Sequence, residues 1–176
     1  MEQSSNQREY GKTHIPFISF NHISTSSFSS YIDDVMMVMD LSFESQYGEA
    51  WNIQQLKSML NMPYIDLLMA YDENQQAIGF AIIRTIAEEA EIMLIAITPE
   101  FQRKSVGSKM LEQIISTCRK GGVKQVFLEV RSNNGALDFY RKYGFSQIGC
   151  RENYYKGSEN NHYDALTLLK TLQLKP

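Results

Sequence analysis

Two cysteines, three histidines and one tryptophan in 176 residues leave little material for redox or metal chemistry. Cys118 and Cys150 stand far apart, and no Cys/His group has zinc-ligand spacing, so neither a disulfide framework nor a metal centre is expected. Both read as free thiols of a reducing cytosol, with Cys118 packed in the core. No run reaches the ~18 apolar residues that a membrane span requires. Positive charge is not in excess either: 17 Lys and Arg face 20 Asp and Glu, for a net charge of -3. That balance gives no reason to expect nucleic acid as a partner. The opening Met1 to Tyr10 is polar and lacks the apolar centre of a signal peptide, and residues 1–14 read as a loose tail. A cytoplasmic protein without a membrane partner is the expectation. Oligomeric state is not legible.

What is present is an ordinary globular composition, 43% hydrophobic and 21% charged. With no internal repeat and no long linker, residues 15–176 are expected to fold as one domain. Ile15 to Phe20 reads as a first strand, and Asn21 to Ser27 as a turn and helix cap. Phe28, Ile32, Val35, Met36 and Met39 recur at helical spacing, which predicts a helix to about Phe43. Trp51 to Leu60 predicts a shorter one, closed by Pro63. Three strands follow, over Tyr64–Tyr71, Ala77–Thr85 and Glu88–Thr98, the first two joined by a turn at Asp72 to Gln75. An amphipathic helix from Ser105 ends at Gly121, and a buried-type strand covers Gln125–Val130. A helix over Asn134–Tyr143 stops at Gly144, and Ser146–Arg151 and Asp164–Leu169 close the chain as strands. A meander followed by alternating helix and strand implies an α+β (mixed α/β) domain, a mostly antiparallel sheet with helices on its faces.

Two segments point to chemistry. At Gln102-Arg103-Lys104-Ser105-Val106-Gly107-Ser108 a strand runs through a basic turn into a helix. The first N–H groups of that helix lack partners, so with Arg103 and Lys104 they can hold a diphosphate. An ordinary helix start with two solvated cations is the alternative. The second segment runs from Leu128-Glu129-Val130-Arg131-Ser132-Asn133-Asn134 to Tyr140 and Gly144-Phe145. Alone it also reads as an amphipathic helix behind a strand.

Together, one helix and one strand apart, these segments resemble the GNAT (Gcn5-related N-acetyltransferase) superfamily over residues 77–170. Gln102 and Gly107 match its diphosphate loop, whereas Ser105 stands where a glycine is usual. A positive φ there would cost a serine about 1 kcal/mol. Arg151-Glu152-Asn153-Tyr154-Tyr155 with Tyr163-Asp164-Ala165 is similar to the closing hairpin of the RimI-like enzymes that acetylate protein N-termini.

The resemblance implies the acyltransferase fold, its sheet splayed at the cofactor site, and acetyl-CoA as cosubstrate. Gln102 to Ser108, Asn133 and Ala136 would hold the cofactor, and the backbone of Ile95, Ala96 and Ile97 would take its pantetheine arm. Tyr140 would be the general acid, its hydroxyl at the sulfur. The base would be Glu129, with Glu91 as helper or replacement, since burial beside apolar strand residues would suit either to that work. Tyr47, Tyr154 and Tyr155 would flank a protein N-terminus, and Asp164 would support the hairpin. A small-molecule amine or a lysine side chain as acceptor, or a non-catalytic CoA-binding module, stays open at this stage.

Overall fold

The computed structural model describes residues 18–23, 25–43, 49–157 and 161–173. The expected tail over 1–14 and the candidate Tyr47 lie outside the described residues. Strand β1 (Ser19–Ile23) leads through a 3-10 turn into helix α1 (Ile32–Ser42), and α2 (Ile53–Leu60) follows. Then come β2 (Ile65–Tyr71), β3 (Ala77–Ile86), β4 (Glu89–Ile97), α3 (Val106–Lys120), β5 (Gln125–Arg131), α4 (Leu137–Lys142), β6 (Ser146–Lys156) and β7 (His162–Thr171).

The strands form a single sheet in the order β1-β2-β3-β4-β5-β7-β6. Among the described strands only β4 and β5 run parallel, as they must when α3 carries the chain across one face between them. The apolar stripe of α3 (Val106, Met110, Leu111, Ile114, Ile115, Cys118) packs with Ala90, Ile92, Val126, Leu128 and Leu168. Helices α1 and α2 cover the other face, where Val35, Met39 and Leu56 meet Leu67, Met69, Phe80 and Ile82. Asn52 caps α2 reciprocally with Gln55. Tyr71 donates to Asp34 across 3.4 Å and ties α1 to β2; burial first, then Asp34, pushes its pKa up to about 12.

Three differences from the sequence reading are informative. β1 runs through Asn21 and His22, read above as turn, because both pair with β2 at Met69 and Leu68. The last helix is short: residues 134–136 form a turn, held by the Asn134 side chain accepting from the Ala136 N–H at 2.8 Å. The closing strands extend well past Arg151 and before Asp164, with an irregularity between Arg151 and Tyr155 where Asn153 takes φ 53. Asp164 sits opposite that irregularity and accepts from the Asn153 N–H at 2.9 Å, the hairpin support expected of it.

The feature that shapes the site is a bulge in β4. Ile82 pairs with Leu94 but Ile83 with Ile92, so Met93 is an extra residue. A bulge bends its strand and reverses which face each later side chain takes. Accordingly β4 pairs with β5 only from Glu89 to Ile92, and beyond Met93 the two strands part in a V. Gly79 lets this end of β4 lie close on β3: a Cβ there would meet Ile97 Cδ1 at 2.5 Å and the Ala96 carbonyl oxygen at 2.9 Å. Gly79→Ala is therefore expected to destabilise the fold by about 1–3 kcal/mol, measured by denaturant titration, and to weaken cofactor binding because the displaced backbone borders the V.

Candidate active site

Backbone pairing sets what the V offers. The Thr98 N–H bonds to the Ile78 carbonyl at 2.9 Å, so by antiparallel alternation Thr98, Ala96 and Leu94 direct their groups toward β3. Ile95 and Ile97 then turn theirs the other way, into the space β5 has vacated. Gln102 verifies the direction: its side-chain amide donates to the Ile97 carbonyl at 2.9 Å. That bond consumes an acceptor and leaves N–H donors facing the V, suited to the carbonyls of an amide-bearing chain. Gln102 thus ties the turn to β4.

Past Gln102 the turn takes positive φ at Arg103 (58) and Ser105 (64). The conformation for which the family pattern favours glycine is present, carried by a serine. The first helical bond of α3 is the Lys109 N–H to the Ser105 carbonyl, so the N–H groups of Val106, Gly107 and Ser108 precede it and lack helical acceptors. The Val106 side chain is buried, leaving only its backbone to serve; Arg103, Lys104 and Ser105 are exposed, and Gly107 and Ser108 half-buried. Ser105→Gly is expected to raise stability by about 1 kcal/mol and to tighten acetyl-CoA binding a few-fold, read by thermal shift with and without the cosubstrate.

Two cavities meet beside the V. The first, of about 330 Å³, is bordered by Ile95, Ala96, Ile97, Gln102, Asn133, Ala136 and Tyr140, with Glu49 and Arg131. The second, of about 640 Å³, is bordered by Glu91, Glu129, Tyr154 and Tyr155, with Trp51 and Arg151. Phe43, Glu49, Ile95, Asn134 and Tyr140 border both. Tyr140 stands at the junction, its ring fixed edge-on between Phe139 (5.2 Å) and Phe145 (5.9 Å). Burial pushes its pKa well above the ordinary tyrosine value.

Both candidate bases differ from expectation, because neither lies among apolar groups. Arg151 Nη2 reaches the two carboxylate oxygens of Glu129 at 2.6 and 2.5 Å, and the Tyr155 hydroxyl donates to the same group at 3.3 Å. Arg151 also stacks 3.7 Å over the Tyr154 ring. Burial, then the Glu129 charge, raises the Tyr155 pKa. Glu91 is paired with Arg84 at 2.5 Å. The register of β4 on β5 explains why the two glutamates nevertheless share a cavity: Glu91 is level with Phe127, two residues before Glu129 on β5, so both project on one face.

Sequence reasoning missed Arg131 and Glu49. Their ion pair, 3.2 Å from Nε to Oε1, is nearly shielded from water, at 8% and 15% side-chain exposure. Arg131 also donates to the Asn133 side-chain oxygen, which fixes that amide at the cavity rim with its N–H groups still to be used. Arg131 had a signal, its place in the strand-Ser-Asn segment; Glu49 had none.

The Acetyltransferase (GNAT) family matches residues 33–145. The chain belongs to the GNAT acetyltransferase family. It is 35% identical over 118 residues to the [Ribosomal protein bS18]-alanine N-acetyltransferase of Haemophilus influenzae, covering 67% of this chain and 80% of that one. The enzyme of the same name from Escherichia coli is 30% identical over 119 residues, with 67% and 78% covered. The crystal structure of the ribosomal-protein-S18-alanine N-acetyltransferase from Escherichia coli superposes with a TM-score of 0.78 at 23% identity, over 91% of this chain and 97% of that one. Ard1 from Thermoplasma volcanium does so with a TM-score of 0.72 at 24% identity, over 89% and 98%. These two likenesses speak to the fold. As a GNAT enzyme the chain is an acetyl-CoA-dependent N-acetyltransferase, and the donors facing the V and at the start of α3 suit the amide arm and diphosphate of that cosubstrate.

Proposed function

We propose that this GNAT enzyme acetylates the α-amino group of a protein N-terminus, and that ribosomal protein bS18, on which the named relatives act, is the first acceptor to try. The observation that carries this reading is the meeting of the two cavities at Tyr140, with Glu129 in the wider one. Acetyl-CoA supplies an acetyl group on a thioester whose sulfur can leave. The N–H groups of Ile95 and Ile97 hold its amide arm, and those of Val106, Gly107 and Ser108 hold its diphosphate beside Arg103 and Lys104. Asn133 and Ala136 border the same cavity and hold the cofactor further along.

In the wider cavity Glu129 removes a proton from the acceptor ammonium; the freed nitrogen bonds to the acetyl carbon as the carbon–sulfur bond breaks, its second proton leaves to solvent, and the departing thiolate takes one up from solvent. Tyr140 directs its hydroxyl hydrogen at the departing sulfur. An α-amine has an ordinary pKa of ~7.7–8.0 against ~10.4 for lysine, so one carboxylate is base enough near neutral pH. Tyr154 and Tyr155 line the acceptor's path, and Glu91 stands as the second carboxylate. A newly made protein as acceptor fits a reaction in the cytoplasm.

Peptides that differ only in their first residue, compared with Nα-blocked peptides carrying an internal lysine, test the reading. Free N-termini should be acetylated and blocked lysine peptides left alone. Equal turnover of both sets would overturn it.

A further inference from the structure

We infer that the enzyme reads its acceptor beyond the first residues, through a second groove on the uncovered sheet face that takes an extended segment carrying an apolar and then a basic side chain. This rests on the N-terminal acceptor proposed above.

Helices α1 and α2 leave part of the sheet bare: no residue of β5, β6 or β7 belongs to the core beneath them. On that bare face lies a groove of about 300 Å³ bordered by Arg84, Ile86, Glu89, Glu91, Phe127 and Thr167. Glu91 borders this groove and the wider cavity of the active site alike, so the two adjoin at its side chain. Ile86 is 52% exposed at the groove's far end, opposite Glu89 in the β3–β4 ladder. Phe127 forms the floor, half-buried and on the same face as Glu129.

The spacing fits a chain that starts at Glu129. Phe127 and Glu91 are level with each other, and Gln125 and Glu89 are level one step further down. At ~3.3 Å per residue each step of two residues is about 7 Å. An extended acceptor with its amine at Glu129 passes its third or fourth residue over Glu91 and Phe127, and brings its fifth or sixth to Ile86 and Glu89. The groove is apolar at Ile86 and Phe127, which selects an apolar side chain there. Charge then selects what lies next to it. Glu91 is already paired with Arg84, and Glu88 with Lys124 at 2.7 Å, whereas among the described residues Glu89 has no ion pair. A basic residue following the apolar one supplies it.

The test compares amidated peptides of three and eight residues with the same first three residues, the longer carrying Leu-Lys at positions five and six. The longer peptide is expected to show kcat/KM about tenfold higher, the equivalent of burying one apolar side chain in a half-open groove. Ile86→Glu, at an exposed site outside the catalytic groups, should abolish that gain and leave the three-residue rate unchanged. Glu-Glu in place of Leu-Lys should abolish it in the unaltered enzyme. Equal rates for the two lengths, or an Ile86→Glu enzyme slowed equally on both, would sink the groove while the acceptor reading stands. Failure to acetylate either peptide would remove the acceptor reading and this inference with it.

Discussion

Tyr140→Phe is expected to lower kcat by at least about a hundredfold, while acetyl-CoA affinity and thermal stability change little. The substitution removes one oxygen and keeps the ring. Tyr140 is only 5% exposed, and its packing against Phe139 and Phe145 is edge-on carbon contact, which phenylalanine reproduces. A fall in turnover therefore reports the hydroxyl. Magnitudes refine what that hydroxyl does. Burial holds its pKa well above 10, and a free thiol ionises near ~8.5, so complete proton transfer to the leaving sulfur runs uphill. A hydrogen bond to charge developing on sulfur, in a place from which water is largely excluded, accounts for the same hundredfold. Full protonation by solvent can follow.

The raised value carries a stability consequence of definite sign. Tyr140 and Tyr155 both keep their protons in the folded chain at a pH where unfolded tyrosines, near 10, lose theirs. Their contribution is whole below pH ~10 and is lost as pH rises from there through the folded values. Turnover should accordingly show no basic limb from Tyr140 below pH ~10. A Tyr140→Phe enzyme with near wild-type turnover would end its assigned role.

The elements around the first cavity were legible because their signals are local. The period of α3, the apolar second half of β4 and the Gln102-to-Ser108 turn each lie within a few consecutive residues. Ile95, Ala96, Ile97, Gln102, Ala136 and Tyr140 all border the first cavity. What escaped depends on pairing across the fold. Asn21 and His22 have turn-like composition, yet an edge strand is specified by its ladder to β2. The Met93 bulge is invisible in an uninterrupted apolar run, because only the register against β3 shows the extra residue. The Glu49–Arg131 pair spans 82 positions, and no periodicity links such partners. The ion pairs of Glu129 and Glu91 escaped for the same reason: strand position tells which face a carboxylate takes, and the cation beside it comes from another strand.

Glu129→Gln has the second largest expected effect, and its pH dependence distinguishes a base from a structural carboxylate. Glutamine keeps the size of the side chain and can still accept from Arg151, but it cannot take up the acceptor's proton. At pH 7 the loss in kcat/KM is expected to be about tenfold, because an α-amine of pKa ~7.7–8.0 is about a tenth neutral there without help. It should shrink as pH rises past ~8, where the α-amine loses its proton unaided. Stability should barely move, because Arg151 is 52% exposed and a pair so open to water contributes about 0–1 kcal/mol. Arg151→Gln supplies the complementary measurement. If Arg151 only restrains the carboxylate, its removal frees Glu129 and the rate holds or rises; if it orients the carboxylate toward the amine, kcat falls and Arg151→Lys restores part of it. Glu91→Gln completes the set. Loss of its pair with Arg84 leaves a cation at the cavity rim, which raises KM for a cationic acceptor more than it lowers kcat. Should the pH-dependent loss follow Glu91 and spare Glu129, the base lies on β4 and the amine enters one step lower on the sheet.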